Sequence, residues 1–192
     1  MDNEQDIIDI KRHPIDNLNE YAMRCRRDLQ KNSILILNKF LTKEALSTLQ
    51  QEAKTLQNKA FYCSQTHNVL LTKRNLLLEN NHPCNINILS DKGCIPDDLV
   101  PSNSHLRTIY TSDKFKKFIQ CVLSKDKIYS YADTLSSINY NYYQRNQQLG
   151  WHFDNASFAI TLMIQSSISG GKFQYVVDAR NVEKNTVNIP LI

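Results

Sequence analysis

Apolar residues recur at helical spacing over residues 17–31, where Leu18, Tyr21, Ala22, Cys25 and Leu29 share one face with charges between them. A β-like run follows at Ser33-Ile34-Leu35-Ile36-Leu37. A second helix is then predicted to begin at a Thr42 cap and to run to about Leu56 through Leu46, Leu49 and Ala53. The order helix, strand, helix suggests an N-terminal support layer ahead of a β core. Residues 111–124 are helical again, with Phe115, Phe118, Ile119 and Val122 on one face and Thr111, Ser112 or Asp113 as the cap.

Between Ala60 and Ser104 the pattern is irregular. Short apolar pieces (Val69-Leu70-Leu71, Leu76-Leu77-Leu78, Ile86 to Leu89) sit among Asn, Asp, Pro and Cys. Loops and short strands folded over a site would read this way, and so would ordinary surface excursions.

From Ser136 the period changes to that of strands. Ile138-Asn139-Tyr140-Asn141-Tyr142-Tyr143 alternates and is rich in aromatics. The polar turn 145–148 leads into Leu149-Gly150-Trp151-His152-Phe153-Asp154. Phe158 to Ile164 is almost continuously apolar and predicts a strand buried on both faces, and Lys172 to Val176 alternates after a Ser169-Gly170-Gly171 turn. Four successive strands with short connections suggest an antiparallel sandwich or jelly roll. No repeat or low-complexity block interrupts the chain. The reading is therefore one domain over 1–192, with helical support and loops in 1–135 and the β core in 136–192.

Composition narrows the function classes. A chain of 192 residues, 41% hydrophobic and 22% charged, is in the range of an ordinary globular domain. The net charge of +4 is mild, and the basic groups at Arg24, Arg26, Arg27 and at Lys114, Lys116, Lys117 read as solvated helix faces. No nucleic-acid partner is expected from them. The five cysteines are odd in number and include no C-x-x-C pair, which argues against a zinc ribbon or a disulfide framework. The acidic, polar N-terminus is unlike a secretory signal, and no run approaches the ~18 apolar residues of a membrane span. The expectation is a cytoplasmic protein with no membrane partner, so the sequon at Asn155 carries no weight.

The candidate chemistry is an H-x-D pair, His152 and Asp154. Residues two apart on an extended segment project to the same face, so an imidazole and a carboxylate can converge on one metal ion. They would supply two of the three ligands of a 2-His-1-carboxylate facial triad. A half-exposed His beside a turn-capping Asp would give the same spacing.

The surrounding stretch from Gln148 to Gln165 resembles the H-x-D strand-turn-strand of the bacterial iron(II)/2-oxoglutarate-dependent oxygenases that include the amino-acid hydroxylases and halogenases. Asn139 and Asn141 on the preceding strand match as well, as does Gly170-Gly171-Lys172-Phe173-Gln174-Tyr175-Val176 on the following one. Arg24 to Leu29, Ile34 to Leu37 and Phe40-Leu41-Thr42 are similar to the group's N-terminal helix, strand and support helix. The resemblance runs through nearly the whole chain and is most specific over residues 136–180. It implies an α+β fold with a double-stranded β-helix (jelly-roll or cupin-like) core, N-terminal support helices, iron(II), 2-oxoglutarate and O2. His152 and Asp154 would hold the metal. Asn139, Asn141 and Tyr143 would line the cosubstrate pocket, and Trp151 and Asn155 would face a small-molecule substrate, amino acids being the group's analogy. Each of these last five serves equally well in strand packing or turn hydrogen bonding. The group's halogenases carry a small residue where this chain has Asp154, so the resemblance points to hydroxylation.

The group continues for several strands that carry a distal His and an Arg for the far carboxylate of 2-oxoglutarate. Here the chain ends 38 residues after Asp154, with no His in that stretch and with Arg180 as its only Arg, in a helix-like or loop segment. The expectation is a truncated form with an incomplete core and weak iron binding. None of His13, His67, His82 and His105 has a spacing that recommends it as the third ligand. Other readings stay open: a non-catalytic interaction domain, one half of a split oxygenase restored by a complementing C-terminal chain, or an unrelated β-sandwich.

Overall fold

The computed structural model describes residues 4–131, 133, 135–181 and 186–188. Helices and a small antiparallel sheet make it a mixed α and β structure. It divides into two units, Met1–Lys59 with Ile95–Tyr140, and Ala60–Cys94 with Asn141–Ile192.

The first unit is helical: α1 (Glu4–Ile7), α2 (Tyr21–Asn32), α3 (Lys43–Leu56), α4 (His105–Thr111) and α5 (Asp113–Leu123). The predicted caps form, since the Thr42 side chain accepts from the Ala45 N–H and Ser112 from the Phe115 N–H. Tyr21 and Cys25 of α2 and Phe118 and Val122 of α5 are buried in one core with Ile7, Ile8 and Ile15. Tyr21 stacks on Phe118 at 5.6 Å between ring centroids. Polar groups inside this core are paired. The Tyr21 hydroxyl donates to His13 Nδ1 at 2.6 Å while His13 Nε2 donates to the Asn38 carbonyl at 2.9 Å. His13, which its sequence neighbours marked only as preceding a proline, is a buried crosslink between segments.

Two features of this unit depart from the sequence reading. Ser33–Leu37 forms no strand. Ser33 takes a left-handed conformation (φ 57°) and returns its N–H to Leu29, closing α2. Leu35 and Leu37 then pack on the helical core without a neighbouring strand to pair with. Arg26, expected on a solvated face, donates from Nε to the Cys121 carbonyl at 2.7 Å near the C-terminal end of α5, where unpaired carbonyls favour a cation. Arg107 of α4 binds the Asp97 carboxylate at 2.6 Å and donates to the carbonyls of Asp97, Val100 and Pro101. It thereby orders the loop after the sheet.

The second unit contains β1 (Phe61–His67), most of β2 (Ile88–Ile95) and of β3 (Tyr140–Tyr142), in sheet order β1-β2-β3. The strands β1 and β2 lie in a stretch that reads as irregular, because β1 has no apolar alternation, running from Phe61-Tyr62-Cys63 into Ser64-Gln65-Thr66-His67, and is exposed at all but its last residue. The expected strand at 138–143 is present in shortened form as β3. The expected strands at Phe158–Ile164 and Lys172–Val176 are absent: both runs are irregular, with Ile160 58% and Met163 60% exposed. A strand exists only where a neighbour takes its backbone N–H and C=O groups, and neither run has a place in the sheet order. A two-residue ladder, β4 (Arg180–Asn181) with β5 (Thr186–Val187), follows. Among the described residues no helix is long and apolar enough to cross a membrane.

Burial pushes the Tyr21 phenol and the Cys25 thiol above their ordinary values. The folded state therefore keeps protons that the unfolded chain releases, so their contribution is complete below the ordinary thiol value of 9.0 and is lost as pH rises above it. Thermal melts taken from about pH 7 to about pH 10.5 should fall in midpoint over the upper part of that range. Tyr21→Phe should flatten the fall, and near neutrality should cost about 1–3 kcal/mol because His13 Nδ1 loses its donor. A midpoint that stays level to the top of the range would refute the assignment.

Candidate metal centre

Antiparallel register places Cys63 opposite Lys92, Gln65 opposite Ser90 and His67 opposite Ile88. Alternation then puts Cys63, Gln65 and His67 on one face with Ser90 and Lys92. These five, with Leu71, Leu149 and His152, line a cavity of about 190 Å³. A larger open hollow of about 500 Å³ lies along α3 in the first unit, where Glu52 accepts from Ser104 and Tyr140, but it brings no pair of metal-type donors together.

The segment 148–153 reaches this face without forming a strand. The Gln148 N–H donates to the Asp91 carboxylate at 2.8 Å, and the Gln148 carbonyl accepts the Asp91 N–H at 2.8 Å. The Gly150 N–H donates to Ser90 Oγ at 2.8 Å, and the Phe153 N–H to the Val69 carbonyl at 2.8 Å. Gly150 is required by this approach: a Cβ there would lie 2.7 Å from the Leu89 carbonyl oxygen and 2.6 Å from Ile88 Cγ2.

Hydrogen bonds decide the tautomers. His67 Nδ1 faces the Asn68 carbonyl at 3.0 Å and must donate, so Nε2 accepts the Ser90 hydroxyl at 2.6 Å. His152 Nδ1 faces the Gly150 carbonyl at 2.7 Å and must also donate, which leaves Nε2 to face Asp154. That nitrogen lies 3.3 Å from Asp154 Oδ1. Two acceptors at this distance are stable only with positive charge between them, either a proton on Nε2 or a metal cation. Two ligand bonds of about 2.1 Å at a right angle would separate their donor atoms by about 3.0 Å. The donor types also suit a divalent cation, and a metal-binding histidine typically gives its other N–H to a carbonyl or carboxylate, as His152 does. Among the described residues no group of three or more His, Cys, Asp or Glu forms a possible metal-binding set.

The other expected site residues are dispersed. Asn141 of β3 accepts from the Lys92 ammonium at 2.7 Å. The Tyr143 phenol is pushed up first by burial and then by the Cys94 thiol. Asn139, Trp151 and Asn155 are exposed, and of the seven expected residues only His152 lines the cavity. The T-shaped contact of His67 with His152 at 5.9 Å, the Ser90 hydroxyl and Lys92 escaped the sequence reading. Their signal was the period-2 spacing of Cys63, Gln65 and His67, muted by the absence of apolar partners. Arg180, read as misplaced, donates to the Asp154 backbone carbonyl at 3.2 Å, and its guanidinium lies 5.7 Å from the Phe153 ring centroid.

Comparison with protein-family models, with curated proteins and with solved structures gives no match.

Gly150→Ala should force the His152 segment away from β2 and cost about 1–3 kcal/mol. Ser90→Ala should cost a similar ~1–3 kcal/mol by leaving the Gly150 N–H without its acceptor. In a double-mutant cycle on the melting free energy the two should be strongly non-additive, since both remove one contact. Additive effects would show that Ser90 does not hold the segment.

Proposed function

We propose that this chain is an iron(II)/2-oxoglutarate oxygenase-like protein of the hydroxylase kind, with His152 Nε2 and the Asp154 carboxylate as two of the three metal ligands of that family's site. The observation that carries the reading is His152 Nε2 held 3.3 Å from Asp154 Oδ1, with Nδ1 committed to the Gly150 carbonyl. The resemblance of residues 136–180 to that family adds the double-stranded β-helix as the underlying architecture, and the five cysteines without a disulfide-like spacing suggest the reducing cytoplasm as the compartment. Iron(II) with 2-oxoglutarate supplies the oxidising power for inserting one oxygen of O2 into a C–H bond, the other oxygen leaving in succinate as CO2 is released. The protein's own groups bind and orient. The Gly150 carbonyl holds the imidazole in one tautomer, and Asp154 adds a negative donor beside it. Asn141, joined to Lys92, and its neighbours Asn139 and Tyr143 would face the cosubstrate. Trp151 and Asn155 would face a small-molecule substrate such as an amino acid. Because Asp154 is a carboxylate, it keeps the coordination position that halide would need.

One observation favours a second reading. Only two donors converge among the described residues, which suits a non-catalytic metal-binding or interaction domain, or one member of a split enzyme that needs a complementing chain.

Manganese(II) binding, followed by electron paramagnetic resonance, should weaken at least tenfold in His152→Ala and in Asp154→Ala. Anaerobic iron(II) loading followed by 2-oxoglutarate and O2 should yield succinate. Metal binding without succinate would select the non-catalytic reading. Binding unchanged by either substitution would remove the metal centre altogether.

A further inference from the structure

The cavity beside His152 has an electrostatic character that the metal pair does not use. Its lining includes one ammonium, Lys92, and no Asp or Glu. Lys92 is half-buried, and its one partner is the neutral Asn141 amide oxygen, so no carboxylate among the described residues neutralises its charge. The neighbouring Asp91 alternates to the other face of β2, and its carboxylate accepts the Gln148 N–H. Lys92 Nζ can give three hydrogen bonds, of which Asn141 takes one. Gln65 stands on the same face, two residues along β1 from both Cys63 and His67, and offers amide donors. The charge is also felt by its neighbours, since Lys92 pulls the Cys94 thiol down against the burial that raises it.

Geometry sets the size of what could bind. The register separates Lys92 and Cys63 from His67 by four residues, about 13 Å of backbone at the strand rise. The side chains of Lys92, His67 and His152 all enter the one cavity, whose volume of about 190 Å³ is roughly six times the liquid volume of a water molecule. An acid of a few carbons fits this space.

We propose that this face is a carboxylate subsite, in which the Lys92 ammonium, assisted by Gln65, takes the carboxylate of a small organic acid. The proposal rests on the oxygenase reading only for which acids to try, the cosubstrate 2-oxoglutarate or an amino-acid substrate. The electrostatic argument is independent of the metal.

The test is equilibrium binding to the full chain by calorimetry, first in EDTA and then with manganese(II). The probes are 2-oxoglutarate, glutarate, individual L-amino acids, the uncharged glutaramide and inorganic phosphate. At least one carboxylate should bind in EDTA, more tightly than phosphate, and glutaramide should not bind. Lys92→Met should weaken binding at least tenfold, Lys92→Arg should retain it, and thermal melts should show both variants folded. Preference for 2-oxoglutarate and glutarate would identify the cosubstrate end, and preference for amino acids the substrate end. Equal binding to wild type and Lys92→Met, or no carboxylate binding at all, would overturn the subsite. The two arms separate the two ideas. Carboxylate binding in EDTA and its loss in Lys92→Met test the subsite alone, and manganese(II) binding without any acid tests the metal reading alone, so failure of either result leaves the other standing.

Discussion

The Ser90 hydroxyl is the contact on which the candidate site depends. It is 5% exposed, accepts the Gly150 N–H and donates to His67 Nε2. One oxygen therefore couples the end of β1, the middle of β2 and the irregular segment that carries the H-x-D pair. No ladder holds that segment, so its position comes from a few single hydrogen bonds. Each such bond is worth only about 1 kcal/mol net, but leaving a buried partner unpaired costs more. The arrangement is sensitive to small changes at Ser90 and Gly150 for that reason. The glycine permits the approach and the serine fixes it.

From this contact the chemistry of His152 follows. With Gly150 held, its carbonyl faces His152 Nδ1 and dictates which ring nitrogen carries the proton. The other nitrogen is then turned to the Asp154 carboxylate. A metal cation or a proton between the two satisfies both. The remainder of the face carries Lys92 and Gln65, the cation and the amide donors that a small acid requires. The two halves of the face thus offer complementary chemistry, acceptors at the H-x-D end and donors at the Lys92 end.

The helical unit obeys a different logic. Its core is a continuous apolar cluster whose few polar members are satisfied internally, with His13 bridging Tyr21 and the Asn38 carbonyl, and Arg107 closing on Asp97 and three carbonyls. Those partners lie beyond a single helical turn, from six residues away for Pro101 to 25 for Asn38, so no short-range pattern announces them. By contrast Thr42 and Ser112 act within three residues of themselves, and their caps were readable in advance. In the second unit the same contrast ran against the sequence reading. The apolar run Phe158–Ile164 and the alternating Lys172–Val176 have strand composition but no strand neighbour, whereas the exposed β1 is a strand because β2 pairs with it residue for residue.

By itself the sequence determined what depends on near neighbours: the helices α2, α3 and α5, their caps, the aromatic β3 strand and the two-residue spacing of His152 and Asp154. Local backbone sterics and side-chain reach act over a turn or a residue pair, and these are written in the order of amino acids. Only the tertiary structure decided which strands exist and which side chains share a cavity. A backbone ladder and the surroundings of an ammonium such as Lys92 are fixed by partners far away in the chain, and such partners are known only once the chain has folded.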